Sequence, residues 1–148
     1  EIEQIIDRHG LTFSDLALEI TESVCAADTE TILSVVRNLR DHGFKIEMDD
    51  FGSGYSSLNM LSRMPINVLK MDMKFFQRNA GNDEIMDAMI RLIIDFAKVM
   101  KVPVIAEGVE DKEQADYLKA IGCDMIQGYY FGRPMPAAEF EKLLQQNC

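Results

Sequence analysis

The chain has 148 residues, of which 47% are hydrophobic and 27% are charged, and its formal net charge at pH 7 is −10. This length suits one domain, and no apolar run approaches the roughly 20 residues of a membrane-spanning helix. This net negative charge argues against binding a long nucleic acid, because such binding needs a basic surface.

The two ends of the chain and its cysteines add little chemistry. The first residues do not resemble a signal peptide, so we expect a cytoplasmic location without direct membrane contact by this segment, which is compatible with a membrane anchor elsewhere in a longer parent protein. Cys25, Cys123 and Cys148 lack CxxC spacing. Neither a disulfide framework nor a zinc site is therefore indicated.

Short apolar segments alternate with longer helical patterns along the chain. The pattern predicts strands over residues 16–21, 44–48, 66–71, 102–106 and 124–129. It predicts helices over residues 1–9, 29–42, 56–63, 83–100, 111–121 and 137–145, with Asp28 as the N-cap of the second helix, Gly43 as its stop and a loop near 79–82. Alternating strands and helices of this kind favour parallel strands joined by right-handed crossovers.

Two α/β architectures fit this order: an open doubly wound sheet and a parallel (βα) barrel of the TIM type. A complete barrel typically needs about 250 residues. Residues 1–9 also look like the end of a helix whose strand is absent. If the barrel interpretation is right, we expect residues 1–148 to form one partial barrel of about five βα units that lacks the N-terminal strands.

Polar side chains stand at the C-terminal end of every predicted strand. In a parallel barrel these ends open into one mouth, where active sites lie, and charges there are costly unless they are paired or bound to metal. Many carboxylates with few histidines or cysteines favour magnesium or manganese over zinc. In chain order the strand-end residues are Glu19, Glu22, Asp49, Asp50, Lys70, Asp72, Glu107, Glu110 and Gln127.

The second strand leads into a turn that contains Gly52 and Gly54, which permit unusual backbone conformations beside a ligand. The turn has neither a phosphate-loop lysine nor dinucleotide-type glycine spacing. Strict alternation predicts that this strand is regular to its end, with Asp50 beginning the loop and Glu47 facing the barrel interior beside Asp49. A buried, unpaired Glu47 would cost several kcal/mol or stay protonated.

Five ordered motifs connect these features to a known family. They are LEITES at 18–23, DDFGSGYSSL at 49–58, LKMD at 69–72, IAEGVE at 105–110 and QGYYFGRP at 127–134. Together they resemble the EAL domain, a bacterial phosphodiesterase that opens cyclic di-GMP to linear pGpG. The resemblance runs over essentially the whole chain and implies a metal-dependent hydrolase acting in signal transduction.

The resemblance implies a role for each strand-end residue. Glu19 and Asp49 look like metal ligands, and Asp50 looks like a ligand shared by two divalent cations, Mg²⁺ or Mn²⁺. Lys70 is similar to the lysine that contacts the attacking water and the phosphate. Glu107 is similar to a carboxylate that binds metal or activates water.

The remaining residues resemble supporting positions. Glu110 and Gln127 look like groups around the metal and the guanine phosphate, and Asp72 belongs to the same strand-end set. Glu22 resembles the glutamate that anchors the loop from Asp49 to Tyr55, a loop also linked to dimerisation in this family.

The sequence also departs from the family. The strand with the Glu-Ala-Leu sequence and the next strand, which carries a metal-binding asparagine, would both lie before Glu1. The resemblance therefore implies that residues 1–148 lack two of the family's metal ligands, and we expect these residues alone to be inactive. Glu47 stands where a small apolar residue is usual, and Met73-Lys74 replaces an Arg-Ser pair. These departures leave room for an alternative, a catalytically inactive cyclic di-GMP receptor or protein-interaction module.

Two further hypotheses concern the lysine and the sheet edges. Lys70 at a strand end could in principle form a Schiff base, although neighbouring anions would keep it protonated and so disfavour this chemistry. A five-strand partial barrel exposes two sheet edges, and such edges pair with other chains. The exposed edges therefore predict a homo-oligomer. The family resemblance implies cyclic di-GMP as the ligand.

Overall fold

Five parallel strands form the centre of the molecule in the computed structural model, which describes residues 2–27, 29–52, 58–73 and 83–147. The sheet order β1-β2-β3-β4-β5 follows the chain, and every neighbouring pair is parallel. A doubly wound sheet reverses its strand order at a switch point, whereas a barrel places successive strands side by side. The α/β fold with a partial (βα) barrel is therefore confirmed. The strands are β1 (Ala17–Thr21), β2 (Lys45–Phe51), β3 (Val68–Asp72), β4 (Val104–Glu107) and β5 (Met125–Ile126).

Helices connect and flank these strands at the positions that the pattern predicted, with two additions. The α2 helix and a short 3₁₀ turn at Phe13–Asp15 were not predicted, because segments of three to six residues carry little periodicity. Asp28, residues 56–57 and the loop at 79–82 lie outside the described residues. The helices are α1 (Ile2–His9), α2 (Glu22–Ala27), α3 (Thr29–Asp41), α4 (Leu58–Arg63), α5 (Asp83–Met100), α6 (Lys112–Ala120) and α7 (Ala137–Asn147).

The end of β2 differs from its prediction. The strand runs on to Phe51, and its register against β3 shifts between Met48 and Phe51. Asp50 lies inside this irregularity with a φ of 56°, which is left-handed backbone. The predicted regular alternation up to Asp50 was therefore wrong, because a bulge interrupts it.

The two faces of the sheet differ in cover. Side chains that alternate onto one face meet the helices and form the core, together with Leu33 and Val36 of α3, Ile90 and Ile94 of α5, and Leu118 of α6. The other face carries the strand-end charges, with Lys70 buried and Glu47, Asp49 and Glu107 half-buried. No described helix combines the length and apolar character needed to cross a bilayer. The fully buried sheet residues are Ile46, Met48, Leu69, Met71, Val104 and Ala106.

Candidate active site

The ammonium of Lys70 is the centre of the candidate site. Its Nζ donates a hydrogen bond to Glu19 Oε1 at 2.6 Å and lies 3.0 Å from Glu107 Oε1 and 3.3 Å from Asp49 Oδ1. Three carboxylates from β1, β2 and β4 thus converge on one lysine from β3. The register explains this, because Thr21 pairs with Asp49 and Asp72 pairs with Glu107, which puts the C-terminal strand ends level.

Two carboxylate oxygens in this cluster lack hydrogen bonds. Asp49 Oδ1 and Glu107 Oε1 are buried, and neither has a hydrogen-bond partner within the described part of the chain. Their contacts with Lys70 are close enough for ion pairs but lack hydrogen-bond alignment. Buried, unsatisfied carboxylate oxygens are costly, so the cluster has capacity for a further donor or cation.

The bulge brings a second aspartate to the same place. Two consecutive residues of a regular strand point to opposite faces, but the left-handed φ of Asp50 breaks that alternation. Burial raises the pKa of Asp50, and the nearby charges of Asp49 and Asp72 raise it further. Adjacent aspartates therefore both contribute negative charge to the site.

Burial and the neighbouring charges shift the pKa values of both Lys70 and Glu107. Burial by itself would lower the pKa of Lys70, but the hydrogen bond to Glu19 and the contacts with Glu107 and Asp49 outweigh it and raise that pKa above its usual value. Burial raises the pKa of Glu107, and Lys70 offsets this only in part. A lysine held protonated cannot act as the amine nucleophile of a Schiff base, so the structure disfavours that hypothesis.

Asp72 lies against the backbone that follows β4. A Cβ added at Gly108 would stand 3.3 Å from Asp72 Oδ1, and Gly108 has a φ of 75°. A side chain at this position would be strained and would crowd the carboxylate. Gly108 therefore lets the β4 loop approach Asp72 closely, a role that the sequence analysis did not assign.

Glu22 connects the start of α2 to the turn after β2. Its residue is only 2% exposed, and its Oε2 accepts a hydrogen bond from the Gly52 N–H at 2.9 Å. The contact ties β1 to the backbone just beyond Asp49 and Asp50. The other glycine of that turn, Gly54, lies outside the described residues.

Two further predicted site residues have exposed side chains. The backbone N–H of Glu110 donates to Gln114 Oε1 at 2.8 Å. The backbone N–H of Gln127 donates to the Ala106 carbonyl oxygen at 2.8 Å, and Gln127 lines a cavity beside β5. Glu47 shares the open face, as predicted, and pairs in register with Glu19. It is half-buried, so the cost of a fully buried, unpaired glutamate does not apply to it.

A close backbone crossing holds the loops after β4 and β5 together. A Cβ added at Gly128 would meet the Val109 carbonyl oxygen at 2.1 Å, and Val109 exchanges backbone hydrogen bonds with Gln127 and Tyr130. Gly128 belongs to the QGYYFGRP motif, but the motif by itself did not predict this contact. A glycine directly after a strand-end polar residue was the available signal.

Asn67 and Asp124 make equivalent side-chain hydrogen bonds at the N-terminal end of the strands, opposite the Lys70 cluster. Asn67 Oδ1 accepts the Ile46 N–H at 2.8 Å, and Asp124 Oδ2 accepts the Val104 N–H at 2.9 Å. Each bond fixes the start of a strand three residues before a site carboxylate, Asp49 or Glu107. The sequence pattern placed both residues inside predicted strands, 66–71 and 124–129, whereas the structure puts each just before its strand.

The donor set can be tested for its fit to divalent cations. Glu19, Asp49, Asp50, Asp72 and Glu107 are five carboxylates against one ammonium, a formal excess of four negative charges. Oxygen donors of this kind suit hard cations. The described residues contain no group of three His, Cys, Asp or Glu side chains already arranged around an ion position, because Lys70 lies where the carboxylates converge. By chemistry and charge the residues fit a cation.

Comparison with known proteins identifies relatives of the chain. A family model described as "EAL domain" matches residues 1–134. The bifunctional diguanylate cyclase/cyclic di-GMP phosphodiesterase MucR of Pseudomonas aeruginosa is 39% identical over 132 residues, which cover 89% of this chain and 19% of MucR. The chain spans about a fifth of the length of the curated relatives it matches.

Solved structures share the fold and include ligand complexes. A structure described as the PaMucR phosphodiesterase in complex with c-di-GMP superposes with a TM-score of 0.85 at 37% identity, covering 94% of this chain and 56% of that one. A calcium/cy-diGMP complex of Klebsiella pneumoniae BlrP1 has a TM-score of 0.80 at 28% identity, covering 90% of this chain and 34% of that one.

Proposed function

The chain belongs to the EAL domain family, and from this premise we propose that it is part of a metal-dependent phosphodiesterase that hydrolyses cyclic di-GMP to linear pGpG. The observation that carries the proposal is the convergence of Glu19, Asp49 and Glu107 on Lys70. A phosphodiesterase needs a place where cations, water and a phosphate meet, and this cluster lies at the barrel mouth, where such sites are built.

We assign two divalent cations, Mg²⁺ or Mn²⁺, to Glu19, Asp49, Asp50 and Glu107. Cations bound there would polarise the phosphodiester and lower the pKa of a coordinated water. The assignment is supported by the excess of negative charge and by two buried oxygens, Asp49 Oδ1 and Glu107 Oε1, that have no hydrogen-bond partner among the described residues.

Lys70, Glu107 and Glu22 have further roles in the proposed reaction. Lys70 stays protonated and offsets negative charge that develops on the phosphoryl oxygens. Glu107, whose Oε1 lies 3.0 Å from Lys70 Nζ, would hold a cation or accept a proton from water. Glu22 holds the Gly52 backbone and so steadies the turn that follows the two aspartates.

Substrate binding and turnover can be measured separately on the 148-residue chain. Cyclic di-GMP would be incubated with Mg²⁺ or Mn²⁺ and the products separated by anion-exchange chromatography, and binding would be measured calorimetrically in Ca²⁺. Any pGpG that forms with Mg²⁺ or Mn²⁺ should be lost in Asp49→Asn. Glu30→Gln is the matched control, because Glu30 is an exposed carboxylate paired with Arg63.

The other outcomes separate the competing functions. Binding without pGpG would contradict hydrolysis by this chain and favour the receptor alternative, to which the departures at Glu47 and Met73-Lys74 also point. Neither binding nor turnover in a folded sample would contradict both. A cytoplasmic location for this segment, compatible with a membrane anchor elsewhere in a longer parent protein, is also part of the proposal.

A further inference from the structure

Glu47 is a carboxylate on the charged face of the sheet that the proposed reaction does not use. It lies on β2, two residues before Asp49, so both side chains point to the same face. Glu47 is half-buried. Because β2 runs between β1 and β3, a strand of this chain lies on each side of Glu47, and the register of those strands identifies its neighbours.

Two of those neighbours are carboxylates assigned to the cations. Glu47 pairs with Glu19 of β1, and neighbouring strands are about 5 Å apart. Asp49 is the next residue of β2 on the same face, about 7 Å along the strand. Like charges opposite each other on neighbouring strands are destabilising, so the pairing of Glu47 with Glu19 has a cost when the cluster holds no cation.

The ion pair between Glu19 and Lys70 crosses over β2. Glu19 is on β1 and Lys70 is on β3, yet Glu19 Oε1 and Lys70 Nζ are 2.6 Å apart. Two strands that flank a third are about 10 Å apart, so both side chains extend over β2 to meet. The partner of Glu47 on β3 is Val68, two residues before Lys70. Glu47 therefore projects from the strand that this ion pair crosses, on the same face.

The negative charge of Glu47 adds to that of the cluster. The three carboxylates that contact Lys70 Nζ do not include Glu47. Lys45, two residues before Glu47 on the same face, is exposed, and no ion pair within the described residues joins it to Glu47. Glu47 thus raises the formal excess of negative charge from four to five.

We propose that Glu47 is a further carboxylate of the cation site and that its negative charge raises the affinity of the site for a divalent cation. The inference rests on the proposed function, which assigns the cations to Glu19, Asp49, Asp50 and Glu107. A carboxylate next to these groups attracts a doubly charged ion strongly at the effective dielectric constant of about 20 that describes protein sites. A bound cation also offsets the repulsion between Glu47 and Glu19.

The first experiment measures the dissociation constant of Mn²⁺ on the 148-residue chain, from the electron paramagnetic resonance signal of unbound Mn²⁺. Glu47→Gln keeps the size of the side chain and removes its charge, so the dissociation constant should rise about tenfold. Glu47→Asp keeps the charge, so its dissociation constant should stay within about threefold of wild type. Glu30→Gln is the matched control, because Glu30 is an exposed carboxylate paired with Arg63, and it should bind Mn²⁺ as wild type does.

Thermal denaturation gives a second readout that does not depend on catalysis. In a chelator, Glu47→Gln should have a higher Tm than wild type, because it removes the like charge opposite Glu19. The rise in Tm on adding a fixed concentration of Mn²⁺ should be smaller in Glu47→Gln, because stabilisation by a ligand depends on its concentration relative to the dissociation constant. A lower Tm of Glu47→Gln in the chelator would contradict the repulsion on which the proposal depends.

Asp49→Asn separates failure of this inference from failure of the proposed function. Loss of Mn²⁺ binding in Asp49→Asn, together with wild-type affinity in Glu47→Gln, would overturn the role of Glu47 and leave the cation site in place. Equal weakening in Glu47→Gln and Glu47→Asp would also overturn it, because the shape of the side chain rather than its charge would then decide affinity. A wild-type chain that binds no Mn²⁺ would overturn the cation assignment and this inference together.

Discussion

The two faces of the sheet are built from alternate residues of the same strands, yet they have opposite properties. On one face Leu69 and Met71 are fully buried beneath helices, whereas on the other Lys70 and Asp72 meet carboxylates from neighbouring strands. Along a strand, residues that stabilise the core therefore alternate with residues that carry the charges of the site. Substitutions of adjacent residues should therefore have different kinds of effect.

The largest effect should come from the covered face. Leu69→Ala removes a side chain that is 1% exposed and leaves a cavity, so the free energy of unfolding should fall by about 3–4 kcal/mol. Urea denaturation measures this. Leu92→Ala is the control, because Leu92 is 57% exposed and its truncation should change little. Equal losses in the two variants would contradict the assignment of the covered face as the core.

The adjacent residue should affect catalysis. Lys70→Met removes the only described ammonium among five carboxylates, and kcat for cyclic di-GMP hydrolysis should fall by about 100- to 1,000-fold. Lys98→Met, on an exposed lysine near Asp95, should hydrolyse normally. Wild-type turnover in Lys70→Met would remove this residue from the proposed mechanism and weaken the distinction between the faces.

Substitution at the contact between Gly128 and the Val109 backbone should have an intermediate effect on stability. Gly128→Ala forces a Cβ against the Val109 backbone, which should cost about 1–3 kcal/mol. At Gly132 the nearest atom to an added Cβ is 3.9 Å away, so Gly132→Ala should be tolerated. Thermal denaturation of the two variants checks the contrast, and a tolerated alanine at 128 would show that the crossing can open freely.

The smallest effect concerns charge on the open face. Burial raises the pKa of Glu107 above its ordinary value of 4.5. A carboxyl with a raised folded-state pKa contributes stability that is complete below pH 4.5 and is lost as pH rises through the folded-state pKa. At pH 7 in a chelator, Glu107→Gln should therefore raise Tm by about 2–4 °C, or about 1 kcal/mol.

The pH dependence is the decisive part of that measurement. The gain in Tm from Glu107→Gln should disappear below pH 4, where the native carboxyl is already protonated. Glu30→Gln, on the exposed surface pair with Arg63, should show no comparable dependence. A loss of Tm at pH 7 in Glu107→Gln would mean that its ion pair with Lys70 outweighs the cost of burial.

Local pattern was sufficient for much of the fold. Strands and helices alternate with clear periods, and a strand that is apolar on one side must bury that side. The positions of β1, β3 and β4, the long α5 helix and the polar residues at the strand ends all follow from residues near one another in the chain. The placement of Glu19, Asp49, Lys70 and Glu107 at one mouth needed only the further assumption of parallel strands.

Tertiary structure decided which of those residues meet and how. The bulge at Asp50 and the crossing of Gly128 over Val109 depend on register between distant segments. The same is true of the exposure of Glu47 and the bonds that Asn67 and Asp124 make to strand starts. Periodicity reports which face a residue prefers, but contacts across strands depend on pairing that no local pattern encodes.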